Sequence, residues 1–515
     1  MSTTAHVKKA SWALLALAVL MATAATVMAP RWPFSQRKVT QSLQETFPAT
    51  VTFQKFHATY FPHPGCVGEE AVFTWLGSSR DTSPIVTIRR ITIEAHYLDM
   101  ILRPGYISKI ILEDFAAHVP KIGSKREPSN WKAVQTNTHV GTLIADRSVV
   151  EIARNGDKEA LQFIVHRLEL HSVQGEKPFT YEVALHNPIP PGEIRARGQF
   201  GPWNRERPGA TAVSGEATFA HADLSSFDGI SGNLTATQKF WGELGHLETE
   251  GHLEVPDFMV KRSQHALHLA SEFHAFVNGT NGDVSLEHVA TDFLRTQVTA
   301  SGKIAGRPGE KGKTASLALY VRDGRVQDVL RLFVSEAQPP LNGVTSFRAQ
   351  VTIPPGDEPF LKKVRVAGDF GVSAGEFSKT STQKDVDLFS GKARGEKVSE
   401  KEVQDADEDP QRVISNFAGR AEIIQATAKL DKLSFNVPGA SAEMHGTYNL
   451  ETEKIDLHGT LKTDAELSHM TEGVKSALLK PLNIFFKRKH AGAVAPVHLV
   501  GTYHHPEPGL DLPGH

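Results

Sequence analysis

The sequence predicts a mainly β protein: one long antiparallel, curled β-sheet, with an N-terminal transmembrane helix and a few short amphipathic helices. Three observations predict it. From Val51 onward the apolar residues recur with period two for several hundred residues. Helical patterns are few and short, so successive strands join through turns and pair antiparallel. Glycine interrupts strand after strand, at Gly198, Gly215, Gly232, Gly251, Gly302, Gly368, Gly446, Gly459 and Gly501. Glycines inside strands permit bulges and close backbone approach, which help a long sheet curl.

The chain opens with Lys8 and Lys9, then a run from Ala10 to Ala29 without a charge. Twenty residues at about 1.5 Å each span about 30 Å, the thickness of a bilayer core. One reading is a signal peptide cut after Val27-Met28-Ala29. The other, favoured by the length of the run and by Pro30 at the cleavage site, is an uncleaved anchor. Residues 1–9 are then a cytoplasmic tail and 10–29 a transmembrane anchor. The bulk of the chain follows on the other side, with no comparable apolar run.

In "RKVTQSLQETFPA", Val39, Leu43 and Phe47 share one helical face, and Pro48 ends the helix. Residues 30–372 form an N-terminal and central β region. In "TIRRITIEAHYLDMILRPGYISKIILEDF", Ile91, Ile93 and Ala95 face one way and Thr92, Glu94 and His96 the other. Inward charges at Ile93 or Leu457 are expected to be harmful, and outward ones at Thr92 or His458 tolerated. "VVEIARNGDKEALQFIV" predicts a hairpin around Asn155-Gly156. "LETEGHLEV" and "KIDLHGTLK" alternate strictly. Residues 373–412 are polar, and predict a short helix at Asp385 to Lys392 followed by a loop. Residues 413–515 form the last β region, with an amphipathic helix that places Leu467, Met470, Val474 and Leu478 on one face. Phe485, Phe486 and the basic Lys487-Arg488-Lys489 follow. That helix has two readings, a cap on the core or an interfacial membrane element.

Net charge is −2 in 515 residues, so no global basic field points to nucleic acid. The one cysteine, Cys66, excludes an internal disulfide and reads as a small structural residue. "GRPGEKGKT" has the wrong glycine spacing for a phosphate loop and lies between two strands. His246, His252, His265, His268, His274 and His288 cluster in sequence without the spacing of zinc ligands, and read as solvated strand faces. No nucleophile elbow or metalloprotease motif occurs. The sequence thus predicts no catalytic, cofactor or metal residues, and a non-enzymatic protein.

The order of these features resembles the AsmA-like family of bacterial envelope proteins over nearly the whole chain. The resemblance runs through the anchor, the short helix, "IVTIRRITIEAHYLDMILRPGYISKIILEDF", "PPGEIRARGQFGPW", "FDGISGNLTAT" and "NGTNGDVSLEHVATDF". It is most specific in "LSFNVPGASAEMHGTYNLETEKIDLHGTLKTDAELSHM" and "GVKSALLKPLNIFFKRKHAGAVAPVHLVGTYHHPEP". It implies a periplasmic protein tethered to the inner membrane. Its apolar groove would take phospholipid acyl chains, in lipid transport and outer-membrane assembly, and the family offers no catalytic residues to carry over. A structural or regulatory scaffold for envelope assembly, without lipid, is the alternative. About 20 strands at ~4.8 Å would extend on the order of 100 Å. One apolar face that long must close on itself or bind lipid. In a groove, the face of Ile91 and Ile93 would meet acyl chains.

Overall fold

The computed structural model describes residues 32–46, 49–75, 84–119, 138–152, 160–175, 177–204, 206–307, 312–356, 358–396, 412–464 and 494–511. The anchor at 10–29, the Asn155-Gly156 turn, most of the loop after residue 396 and the amphipathic helix with Phe485 to Lys489 lie outside them. No helix among the described residues is long and apolar enough to cross a membrane. Of the described residues 66% lie in strands, in a mostly antiparallel sheet of 25 strands. It divides into two compact units, one of residues 1–188 with 195–211, the other of 189–194 with 212–515.

The first unit opens with α1 (Gln36–Thr46), where Val39 is buried. The short strands β1 (Ala49–Thr52) and β2 (Lys55–Thr59) both pair with β3 (Gly65–Trp75). Next comes β4 (Val86–Glu94), antiparallel to β3. The expected turn after it holds a short helix, α2 (Tyr97–Leu102), and β5 (Tyr106–Val119) returns along β4. Ile91, Ile93 and Ala95 all turn inward, as their alternation predicts, and pack with Trp32, Phe34 and Val39. This part of the oily face meets protein and not acyl chains, because the N-terminal segment and α1 cover it.

β6 (His139–Ile152) corrects the expectation of antiparallel pairing throughout: it runs parallel to β5, from Tyr106 opposite His139 to Val119 opposite Ile152. A parallel pair needs a crossover rather than a turn. β7 (Leu161–Val173) forms the expected hairpin with β6, and β8 (Phe179–Pro188) extends it. Bulges line up across this unit. Glu70, Asp114 and Arg147 each take a left-handed φ of 50° on neighbouring ladders. Asp114 accepts a hydrogen bond from Arg147 Nε at 3.0 Å and another from Arg89. Stacked bulges bend a sheet at one line.

β9 (Pro191–Phe200) belongs partly to each unit. The second unit then runs through β10 (Ala212–Asp223), the two-residue β11 (Ile230–Ser231) and β12 (Asn233–Glu243). A meander follows: β13 (His246–Val260), β14 (Ala266–Val277), β15 (Val284–Phe293), β16 (Thr296–Gly306), β17 (Lys313–Arg325) and β18 (Leu341–Ile353). It continues as β19 (Arg365–Phe377), β20 (Ser415–Ile424), β21 (Thr427–Val437), β22 (Ala440–Asn449), β23 (Lys454–Thr463), β24 (Val494–Thr502) and β25 (Pro506–Leu510). From β12 each strand is antiparallel to the next.

Helices mark the two rims. α3 (Val326–Arg331) and α5 (Thr380–Ala393) sit at the rim where β17 and β19 end, and α4 (Phe360–Lys363) at the opposite one. The sheet of this unit turns back on itself so that opposite rims meet. Arg262, between β13 and β14, bonds Glu453 Oε1 at 3.0 Å and the Leu450 carbonyl, between β22 and β23. Asp228, before β11, accepts from the Phe360 amide of α4 at 3.5 Å. A twist of about 20–25° per strand reverses the rims over roughly nine strands, which accounts for this contact.

Candidate functional site

The strongest candidate is a surface, the inward face of the second unit. Its residues follow from alternation alone. On β13, Leu247, Thr249, Gly251, Leu253 and Val255 turn to one side and Glu248, Glu250, His252 and Glu254 to the other, as the sequence predicts, with Glu248 half-buried and the other three exposed. β23 does the same, with Leu457 and Leu461 buried and Asp456, His458, Thr460 and Lys462 exposed. The strand register carries the inward set across the sheet. Phe273, Val289, Ala300, Leu319, Ala349 and Gly368 stand in one row, each paired with the next.

This face is free of charge between the rims on β12 to β23 among the described residues, and apolar but for Gln238 on β12 and a few hydroxyls. Several of its hydroxyls are satisfied within the sheet. Ser271 and Thr291 share a hydrogen bond of 2.7 Å, Thr249 donates to the Lys239 carbonyl and Thr345 to that of Gly371. A lining with so few polar atoms offers a ligand mainly dispersion and burial.

Packing distinguishes the rims from the middle. At the helical rim Val255, Leu267, Phe293, Val321 and Val372 are buried. Along β19 to β24 the same rim is sealed by α5, whose Val386, Leu388 and Ala393 pack on Val437, Ala440, Ala442, Leu461 and Ala495. The large side chains of two adjacent rows, Leu253, Phe273, Val289, Leu319, Phe347 and Phe370, are only half-buried. A packed protein core would bury such side chains almost fully.

The expected helix at Asp385 to Lys392 is thus longer, Thr380–Ala393, and part of the core. Its polar sequence concealed this, because its buried polar groups have specific partners. Gln383 accepts from the Phe377 amide and donates to the Val413 carbonyl, and Ser390 donates to the Pro438 carbonyl at 2.6 Å.

The remaining sequence candidates do not form a site. Gly306 and Lys313 pair across an antiparallel hairpin, and Lys313 Nζ lies 3.0 Å from Asp283 Oδ1. Cys66 is buried, which pushes its thiol up to about 12. Of the clustered histidines, His274 bonds Glu248 at 2.9 Å, His246 stacks on Phe276, and His265 reaches the Glu336 carbonyl at 3.0 Å. No group of three or more metal-ligating side chains with suitable geometry occurs among the described residues.

One polar cluster was invisible in the sequence, since its members are far apart in the chain. Asp511, just after β25, accepts from His458 Nδ1 at 2.9 Å on β23 and His498 Nδ1 at 2.8 Å on β24. His458 also meets Asp456 at 3.1 Å. These hydrogen bonds, from His458 first, hold the Asp511 carboxyl below its usual range, and Asp511 in turn raises His458. The cluster lies on the polar face and ties the last strand down. It corrects the expectation that His458 is a free solvated position: an aspartate there would face two carboxylates. Comparison with family models, curated proteins and solved structures returns no match.

Proposed function

We propose that this chain is a non-enzymatic, AsmA-like lipid-handling protein of the bacterial envelope, held in the inner membrane by residues 10–29 with its bulk in the periplasm. Phospholipid acyl chains lie along the inward face of the second unit, in support of outer-membrane assembly. The observation that carries this reading is the half-buried, charge-free set of Leu253, Phe273, Val289, Leu319, Phe347 and Phe370. Side chains of that kind gain about 25 cal/mol for each Å² of apolar area that a ligand removes from water. Acyl chains match such a lining because they ask for no hydrogen bonds. Headgroups would stay at a rim, where charged side chains resume.

Mass spectrometry of lipids retained by the fragment from Arg31 onward tests the reading. Phospholipid should co-purify with the fragment, and Leu319→Asp should deplete it. A folded, lipid-free fragment that restores envelope function would favour a scaffold instead.

A further inference from the structure

The first unit carries an apolar tip that its fold leaves uncovered. Phe61 is 90% exposed, and on α2 Leu98, Ile101 and Leu102 are 71%, 76% and 74% exposed. These are large side chains on neighbouring segments. Tyr97 of α2 donates to the Tyr60 carbonyl, and His96 stacks edge-on against His63. Met100 is the one residue of α2 that packs into the core cluster beneath. A soluble surface rarely gathers so many exposed apolar groups without a partner.

The position of the tip along the chain identifies the partner. Trp32 is buried with its ring 4.8 Å from that of Tyr60, the residue before Phe61. The uncharged run ends at Ala29. Three Cα steps from Ala29 to Trp32 cover at most about 11 Å. If the run crosses a bilayer, the tip lies within reach of that bilayer's headgroup layer, which is on the order of 5–8 Å deep. Arg31, Arg37, Lys38 and Arg103 are the nearby cations in the chain, suited to anionic headgroups, and Asp99 is the single acid on α2.

We propose that Phe61, Leu98, Ile101 and Leu102 insert into the surface of the membrane that residues 10–29 span, fixing the first unit against it. This rests on the anchoring part of the reading above and does not require lipid carriage. The tip works as a second, interfacial contact. A single helix leaves a domain free to swivel, whereas a helix plus an inserted apolar tip fixes its orientation.

Site-specific quenching tests it on the full chain, reconstituted in vesicles of phosphatidylethanolamine and phosphatidylglycerol. Cys66 is buried, so an environment-sensitive maleimide dye reports from an introduced Ile101→Cys. The dye should be quenched several-fold more by lipids spin-labelled near the headgroup than by unlabelled ones. Adding Phe61→Asp and Leu98→Asp should abolish that quenching without shifting the melting temperature, since both positions are exposed. Alkaline-carbonate extraction of the same vesicles separates the two claims. Protein that stays in the pellet with an unquenched dye overturns the tip alone. Protein released to the supernatant overturns the anchor, and the tip with it.

Discussion

Phe273 on β14 stands directly opposite Gly251 on β13, and its ring occupies the space a side chain at 251 would need. A Cβ on Gly251 would fall 2.7 Å from Phe273 Cζ and 2.4 Å from the Thr237 carbonyl. Phe370 pairs with Gly419 in the same way, and the Phe219 ring covers Gly192. At these three positions the glycine leaves room for an aromatic ring, whereas at Gly302, Gly368, Gly446 and Gly459 a backbone carbonyl of the neighbouring strand fills that space. Gly251→Val should lower stability by about 1–3 kcal/mol, read from urea unfolding, because neither the ring nor the carbonyl can retreat freely. Unchanged stability would mean that the ring is not seated on the glycine.

The two faces of β17 and β18 should respond oppositely to charge. Leu319→Asp places a carboxylate on the charge-free lining, whereas Gln350→Asp adds one to an already polar surface. The outward change should stay within about 0.5 kcal/mol. The inward one should reduce both stability and retained lipid, as an unpaired charge is costly against apolar surface. Equal tolerance would remove the apolar face from the account.

Leu388 on α5 is 3% exposed within the cluster that seals one rim. Leu388→Ala should destabilise the protein by roughly 2–5 kcal/mol. If α5 were a loose surface insertion, the same change would be nearly silent in a denaturant titration.

The Asp511 cluster makes the hold on β25 depend on pH. His458 is raised above its ordinary 6.5, so its contribution is complete below that value and is lost as pH rises through the raised one. Asp511 is lowered from 3.8, so its contribution is present above 3.8 and is lost as pH falls through the lowered value. The strand is held most firmly between 3.8 and 6.5. Both groups are partly exposed, which limits the effect to about 1 kcal/mol. Amide exchange at Gly509 and Leu510, corrected for intrinsic rates, should quicken a few-fold from about pH 6 to about pH 8. His458→Gln should flatten that dependence, and an unchanged profile in that variant would exclude the cluster as its source.

What was legible in the sequence was local. Alternation in β4, β13 and β23 named the buried face correctly, because period two depends only on neighbouring residues. The parallel pairing of β5 with β6 was not legible, since it depends on where a long crossover returns. The extent of α5 was hidden because Gln383 and Ser390 read as solvent-facing until their carbonyl partners, Val413 and Pro438, come together in the fold. The inward face was legible strand by strand. Its half-buried middle was not, since that follows from which segments cover it.

The central claim is that acyl chains occupy the inward face, and photo-crosslinking in growing cells tests it most directly. A benzophenone amino acid replaces Phe347, half-buried on the inward face, or Arg348, its exposed neighbour on the opposite face. Lipid adducts, detected by mass spectrometry of the isolated protein, should form at 347 and be absent at 348. Equal labelling at both positions, or protein adducts alone at 347, would contradict the account.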